Sequence, residues 1–164
     1  MKTNRLAKNA LLTAVALIIF VIEMRLPSLS PIPGLKLGLS NIITVYAVFV
    51  LSPADAVMIL TSRILLGTFI SGNMSALIYS SCGGAMCLVT MLMIRKLLTP
   101  KQMWAASVTG AIFHNLGQVL AAMAITRTPA LIAYLPILTA GGMIAGLFTG
   151  LCAQFAAARL KSIK

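Results

Sequence analysis

The chain has 164 residues, 60% hydrophobic and 9% charged, with 13 lysines and arginines against 2 acidic residues and a net charge of +11. A mean hydropathy of +1.02 exceeds what a soluble core of this size needs, and the apolar residues run continuously rather than in period-two segments, which excludes a β-barrel and leaves an all-α integral membrane protein. The cations cluster at the ends of the apolar runs and form no basic stripe interleaved with aromatics, so they report orientation in a bilayer and no nucleic-acid partner.

Six transmembrane helices are predicted, in one transmembrane domain over 1–164, at about 6–25, 37–52, 54–70, 75–94, 103–125 and 134–158. Lys2, Arg5 and Lys8 precede the first, which is long enough to cross about 30 Å of hydrocarbon. No A-x-A cleavage site follows it, so it reads as a retained span. Its Ala10 and Ala14 put two small side chains on one face, the pattern that lets another helix approach closely. Glu23 and Arg25 end it.

A loop punctuated by Pro27, Pro31 and Pro33 leads into the stretch on which the rest is organised, Pro33-Gly34-Leu35-Lys36-Leu37-Gly38-Leu39-Ser40-Asn41. Pro33-Gly34 is turn chemistry, Gly38 permits close backbone approach, and Lys36 and Asn41 add a cation and an amide. Polar, glycine-rich backbone entering a membrane helix is expected to line a cavity, because facing lipid would leave its polar groups unpaired. Ser40, Asn41 and Thr44 carry that polarity one turn into the second helix, which is short for a full span and is expected to tilt or to begin below the surface.

Pro53 and Asp55 mark a tight turn into the third helix, Pro53 being suited to a first helical turn. Arg63 falls near the middle of that helix, where an arginine costs about 2.5–3.5 kcal/mol on the insertion scale unless it faces the bundle or a cavity. Either backbone carbonyls or Glu23 hold it, or its counter-charge arrives with an anionic ligand. Ser71-Gly72-Asn73 turns the chain back. The fourth helix contains Gly83-Gly84, a site of close packing or a kink, and ends in a basic loop with Arg95, Lys96, Pro100 and Lys101. The fifth carries His114, Asn115 and Gln118 at i, i+1 and i+4, three polar side chains that should face inward; Arg127 and Pro129 close it. The sixth holds Gly142, Gly146 and Gly150 at four-residue spacing, a helix–helix contact face, before Arg159, Lys161 and Lys164.

Nine cations then fall on one side (Lys2, Arg5, Lys8, Arg95, Lys96, Lys101, Arg159, Lys161, Lys164) and three on the other (Arg25, Lys36, Arg127), with Arg63 between, which accounts for all 13. The positive-inside rule places both termini in the cytoplasm. Cys82, Cys87 and Cys152 have neither the spacing nor the neighbours of a metal set, so no metal and no cofactor are expected. Two carboxylates on different helices make no general acid/base pair, His114 has no acid near it in sequence, and no nucleotide-binding fingerprint occurs, so the chain is not expected to be an enzyme.

The nine-residue stretch, with Gly72-Asn73, Gly83-Gly84 and Phe113-His114-Asn115, resembles the signature of a bacterial family called heptaprenyl diphosphate synthase component I, also the Gx transporter family. That family is similar to the substrate-binding S-components of energy-coupling factor (ECF) transporters, six-helix proteins of the bacterial cell membrane. These bind a small molecule from outside and partner a transmembrane coupling subunit and two cytoplasmic ATPases. The resemblance implies that Ala10 and Ala14 dock on the coupling subunit and that the loop before the second helix caps the substrate site. Prenyl chain extension needs paired aspartate-rich motifs to hold Mg²⁺, and Asp55 is the chain's single aspartate, so a catalytic synthase is excluded. The expected pocket comprises Gly34, Lys36, Gly38, Asn41, Arg63, His114, Asn115 and Gln118, with Arg25 and Arg127 near its mouth. Its ligand is expected to be small and anionic or amphipathic, such as an isoprenoid diphosphate or a quinone-pathway precursor. The alternative function is a non-catalytic membrane subunit of heptaprenyl diphosphate synthesis, the route to the menaquinone side chain.

Overall fold

The structure, a computed structural model, describes residues 2–25 and 38–162. Gly34 and Lys36 of the expected pocket therefore lie outside the described residues. Six α-helices follow one another: α1 (Lys2–Arg25), α2 (Asn41–Val50), α3 (Pro53–Ser71), α4 (Met74–Ile94), α5 (Met103–Thr126) and α6 (Leu135–Ser162). Short 3-10 turns at Pro100–Gln102 and Pro129–Tyr134 lead into α5 and α6, and the described residues contain no strand. Five of the six helices are long and apolar enough to cross a membrane, which makes this a multi-pass membrane protein.

The exception is α2. The sequence predicts a span over 37–52, but the helix has only 10 residues and rises about 15 Å at about 1.5 Å per residue, half the hydrocarbon thickness. It starts late because Gly38 adopts a φ of 66°, a left-handed conformation that costs a glycine nothing. The Asn41 and Ile42 amides then bond back to the Gly38 and Leu39 carbonyls at 2.9 and 3.1 Å, forming a turn before the helix. It stops early because Leu51 and Ser52 are extended, the conformation that a following proline favours. Ser52 and Asp55 form a capping box with Pro53 in the first turn of α3, satisfying amide groups that would otherwise be orphaned. Gly72, at φ 65°, ends α3 and donates to the Thr68 carbonyl.

The helices alternate in direction, so the bundle has two unlike ends. Toward the end that holds the starts of α1, α3 and α5, the more solid one, Val48, Ala56, Ile59 and Ala153 are fully buried, and the space left is a smaller pocket of about 280 Å³ between the start of α5 and the end of α6. Close approach of α5 and α6 depends on the glycine stripe. A Cβ on Gly150 would lie 2.6 Å from the Trp104 Cα, and one on Gly146 2.9 Å from the Ala111 Cβ. The stripe is thus the contact face expected from its spacing. Gly83 and Gly84 serve packing rather than a kink, the first against Gln118 and His114 of α5, the second against Ile64 of α3.

Helix α1 is attached along one face only. Asn9, Thr13 and Ala16 are buried, whereas Ala10, Ala14, Leu11 and Ile18 are exposed. Its first turns are tied to α3 through Asp55, which accepts from Arg5 Nε at 2.7 Å, Asn9 Nδ2 at 2.6 Å and Ser52 Oγ at 2.6 Å. At the same end of the bundle, Arg95 donates to the Val48 carbonyl at 2.7 Å, a cation at the C-terminus of α2 where the helix dipole favours one.

A polar cavity at the head of the short helix

At the opposite end the helices enclose a cavity of about 580 Å³, lined from all six of them. That is within the roughly 300–1,000 Å³ usual for small-molecule sites. The short α2 makes the room. Its head, at Ser40 and Asn41, stands beside Arg63, the eleventh of the 19 residues of α3, so half the thickness of the bundle beyond it has no α2 to fill it.

Gly38, Asn41, Arg63, His114, Asn115 and Gln118 all line the cavity; Arg25 and Arg127 are exposed and are not among its walls. Arg63 donates through Nη1 to Ser40 Oγ, the residue just before α2. Its Nε is buried and has no hydrogen-bond partner among the described residues. Neither carboxylate of the chain pairs with it. Asp55 is taken by Arg5, and Glu23 accepts the Gly38 and Leu39 amides at 2.5 and 3.1 Å. The expected alternative, an Arg63–Glu23 ion pair, is therefore not the arrangement found. The cation also stands at the positive end of the α2 dipole, which disfavours it further.

The α5 residues form a second polar group. Asn115 Nδ2 donates to the Leu138 carbonyl of α6 at 2.6 Å, passing over Gly142, where a Cβ would collide with the amide. The His114 ring lies against Gly83, with Nδ1 3.0 Å from where a Cβ would stand, and the Gln118 stem abuts the same glycine. Deeper, Ser107 and Thr149 share a hydrogen bond of 3.1 Å. Apolar walls come from Phe20, Met24, Val45, Ile64, Met91 and Leu138. One concavity thus offers a guanidinium without an ion pair among the described residues, amide and imidazole groups, and apolar surface, suited to a molecule with an anionic head and an apolar body.

Sequence reasoning missed the work of Glu23 and the Ser107–Thr149 pair. An acid at the end of an apolar helix before a glycine-rich turn is a weak signal for the first. The second is a contact across 42 residues and leaves no local trace. Among the described residues no cluster of three or more His, Cys, Asp or Glu could hold a metal, and the three cysteines are unpaired.

A family model described as Heptaprenyl diphosphate synthase component I matches residues 12–156. No curated protein matches the chain, and no solved structure does.

Proposed function

The chain belongs to the heptaprenyl diphosphate synthase component I family, and from that membership and the cavity we propose that it is a non-catalytic, substrate-binding membrane subunit. In this reading it crosses the bacterial cell membrane with six helices, α2 being a half-length one, and both termini are cytoplasmic. The described cations support that orientation: Arg5, Lys8, Arg95, Lys96, Lys101 and Arg159 lie at the solid end, against Arg25 and Arg127 at the cavity end, so the cavity opens outward. The ligand is a small anionic or amphipathic molecule such as an isoprenoid diphosphate or a quinone-pathway precursor. Gly34, Lys36, Gly38, Asn41, Arg63, His114, Asn115 and Gln118 hold it. The observation that carries the reading is Arg63, half-buried in the cavity wall with a shielded Nε that has no hydrogen-bond partner and no ion pair among the described residues. A cation so placed is stabilised when its counter-charge arrives with a ligand.

Two assemblies use such a subunit. In the first, which we favour, the protein is the S-component of an ECF-type transporter, and Ala10 and Ala14 dock on the coupling subunit, whose ATPases supply the energy. The exposure of both alanines on a helix packed along one face only supports this. In the second it is a membrane component of heptaprenyl diphosphate synthesis, and the family description favours that reading because a component I implies a partner component.

Native mass spectrometry of the protein purified in mild detergent tests the common part: an anionic amphiphile is expected in the bound fraction, and a neutral occupant speaks against it. Replacing Ala10 and Ala14 by leucine separates the assemblies. Loss of co-purification with a coupling subunit and ATPases, with ligand retained, is expected for the transporter. Co-purification with a soluble prenyl synthase subunit, indifferent to the two substitutions, selects the second assembly.

A further inference from the structure

Glu23, the one glutamate in the chain, holds the start of α2. Its two carboxylate oxygens accept the consecutive Gly38 and Leu39 amides at 2.5 and 3.1 Å. The positive φ of Gly38 aims both N–H groups at one point, which makes an oxyanion-binding concavity, and the N-terminus of α2 adds its dipole. Arg63 stands at the same turn, bonded to Ser40, with its Nε buried and without a partner among the described residues. Glu23, Gly38, Ser40 and Arg63 all line the one cavity. A carboxylate delivered from α1 therefore occupies the place where the oxyanion of a ligand would be held best.

We propose that the Gly38 and Leu39 amides together with Arg63 form a phosphate- or diphosphate-binding subsite, that Glu23 is its internal stand-in, and that a ligand's anionic head displaces Glu23 from the two amides. This rests on the anionic-ligand reading above, and adds where the head lies and what it replaces. The exchange has a mechanical consequence. The two carboxylates of the chain pin the two ends of α1, Asp55 through Arg5 and Asn9 and Glu23 through the α2 turn. Displacing Glu23 loosens the Arg25 end, where Phe20 still packs against Gly67 of α3, and leaves the Arg5 end tied.

The full chain in detergent is titrated with inorganic pyrophosphate and, separately, with farnesyl diphosphate. Removing the competing charge by Glu23→Gln should tighten binding of either probe about tenfold, the equivalent of about 1.4 kcal/mol. A second measurement does not depend on the variant folding. Because the chain has a single glutamate, ¹³C-glutamate labels Glu23 alone, and its carboxylate infrared band should shift when the probe is added to the wild-type protein. Response to pyrophosphate assigns the subsite to a free diphosphate as well as a lipid-borne one; the same tightening and band shift with farnesyl diphosphate alone assigns it to the lipid-borne form. Binding without a band shift, or no tighter in Glu23→Gln, overturns the exchange and leaves the anion-binding cavity standing. Failure of both probes to bind either protein overturns the exchange and the anionic-ligand reading together.

Discussion

Among the described residues Arg63 is held by one hydroxyl, at the wrong end of a helix dipole, with both acidic side chains engaged elsewhere. A guanidinium cannot escape by losing its proton, so its partial burial, with Nε wholly shielded, is a standing cost to the folded protein. Arg63→Gln keeps a hydrogen-bonding side chain and removes the charge. The melting temperature of the ligand-free protein should hold or rise, since a half-buried cation without an ion pair has gone. Affinity for farnesyl diphosphate should fall about 30-fold or more, because losing one partner of a buried charged contact costs about 2–5 kcal/mol and each tenfold is about 1.4 kcal/mol. Thermal melts with and without that ligand check both. A lower melting temperature with unchanged affinity would make Arg63 a structural residue and remove it from the pocket.

Among the helices, the glycines divide by what surrounds them. At Gly150 an added methyl meets the Trp104 Cα at 2.6 Å and the Ser107 Cβ at 2.7 Å, atoms fixed to the α5 backbone, so α5 and α6 must separate. Overpacking of this kind costs about 1–3 kcal/mol. Gly72 has nothing within 4 Å of the same position, and its cost is the left-handed conformation alone, about 1–2 kcal/mol for an ordinary residue. Gly150→Ala and Gly72→Ala should therefore both destabilise, but differently. Gly150→Ala should also weaken ligand binding, because the α5–α6 seam runs from Gly150 up to the Asn115–Leu138 bond beside the cavity. Gly72→Ala should leave binding intact. Unfolding in denaturing detergent beside a ligand titration separates the two, and equal effects on binding would show that the seam does not position Asn115.

For the whole molecule, the solid end and the hollow end face opposite sides of the membrane. With the solid end in the cytoplasm, single cysteines at Asn73 and Thr128, in a chain stripped of its three native cysteines, should react with an impermeant thiol reagent in intact cells. Both positions are exposed at the cavity end. A cysteine at Lys101, exposed at the other end, should stay unlabelled until the cells are opened. Labelling of Lys101→Cys in intact cells would invert the orientation and turn the cavity toward the cytoplasm.

Composition and run length alone determined that the chain is helical and lives in a membrane, because hydrocarbon admits few other ways to satisfy a backbone. Local chemistry placed most helix ends, through Pro53, Gly72 and Pro129, and the four-residue spacing of Gly142, Gly146 and Gly150 marked a contact face without saying which helix it meets. The length of α2 was legible only as a doubt, since the residues of 37–39 are apolar enough to continue a helix and the φ of Gly38 is set by what the turn bonds to. Only the tertiary structure decided the electrostatics. Asp55 meets Arg5 across 50 residues, and Glu23 meets Gly38 across 15. Arg63 is left without a carboxylate because these long-range contacts claim both acids, and pairings between helices depend on how the bundle is stacked, which no local pattern encodes.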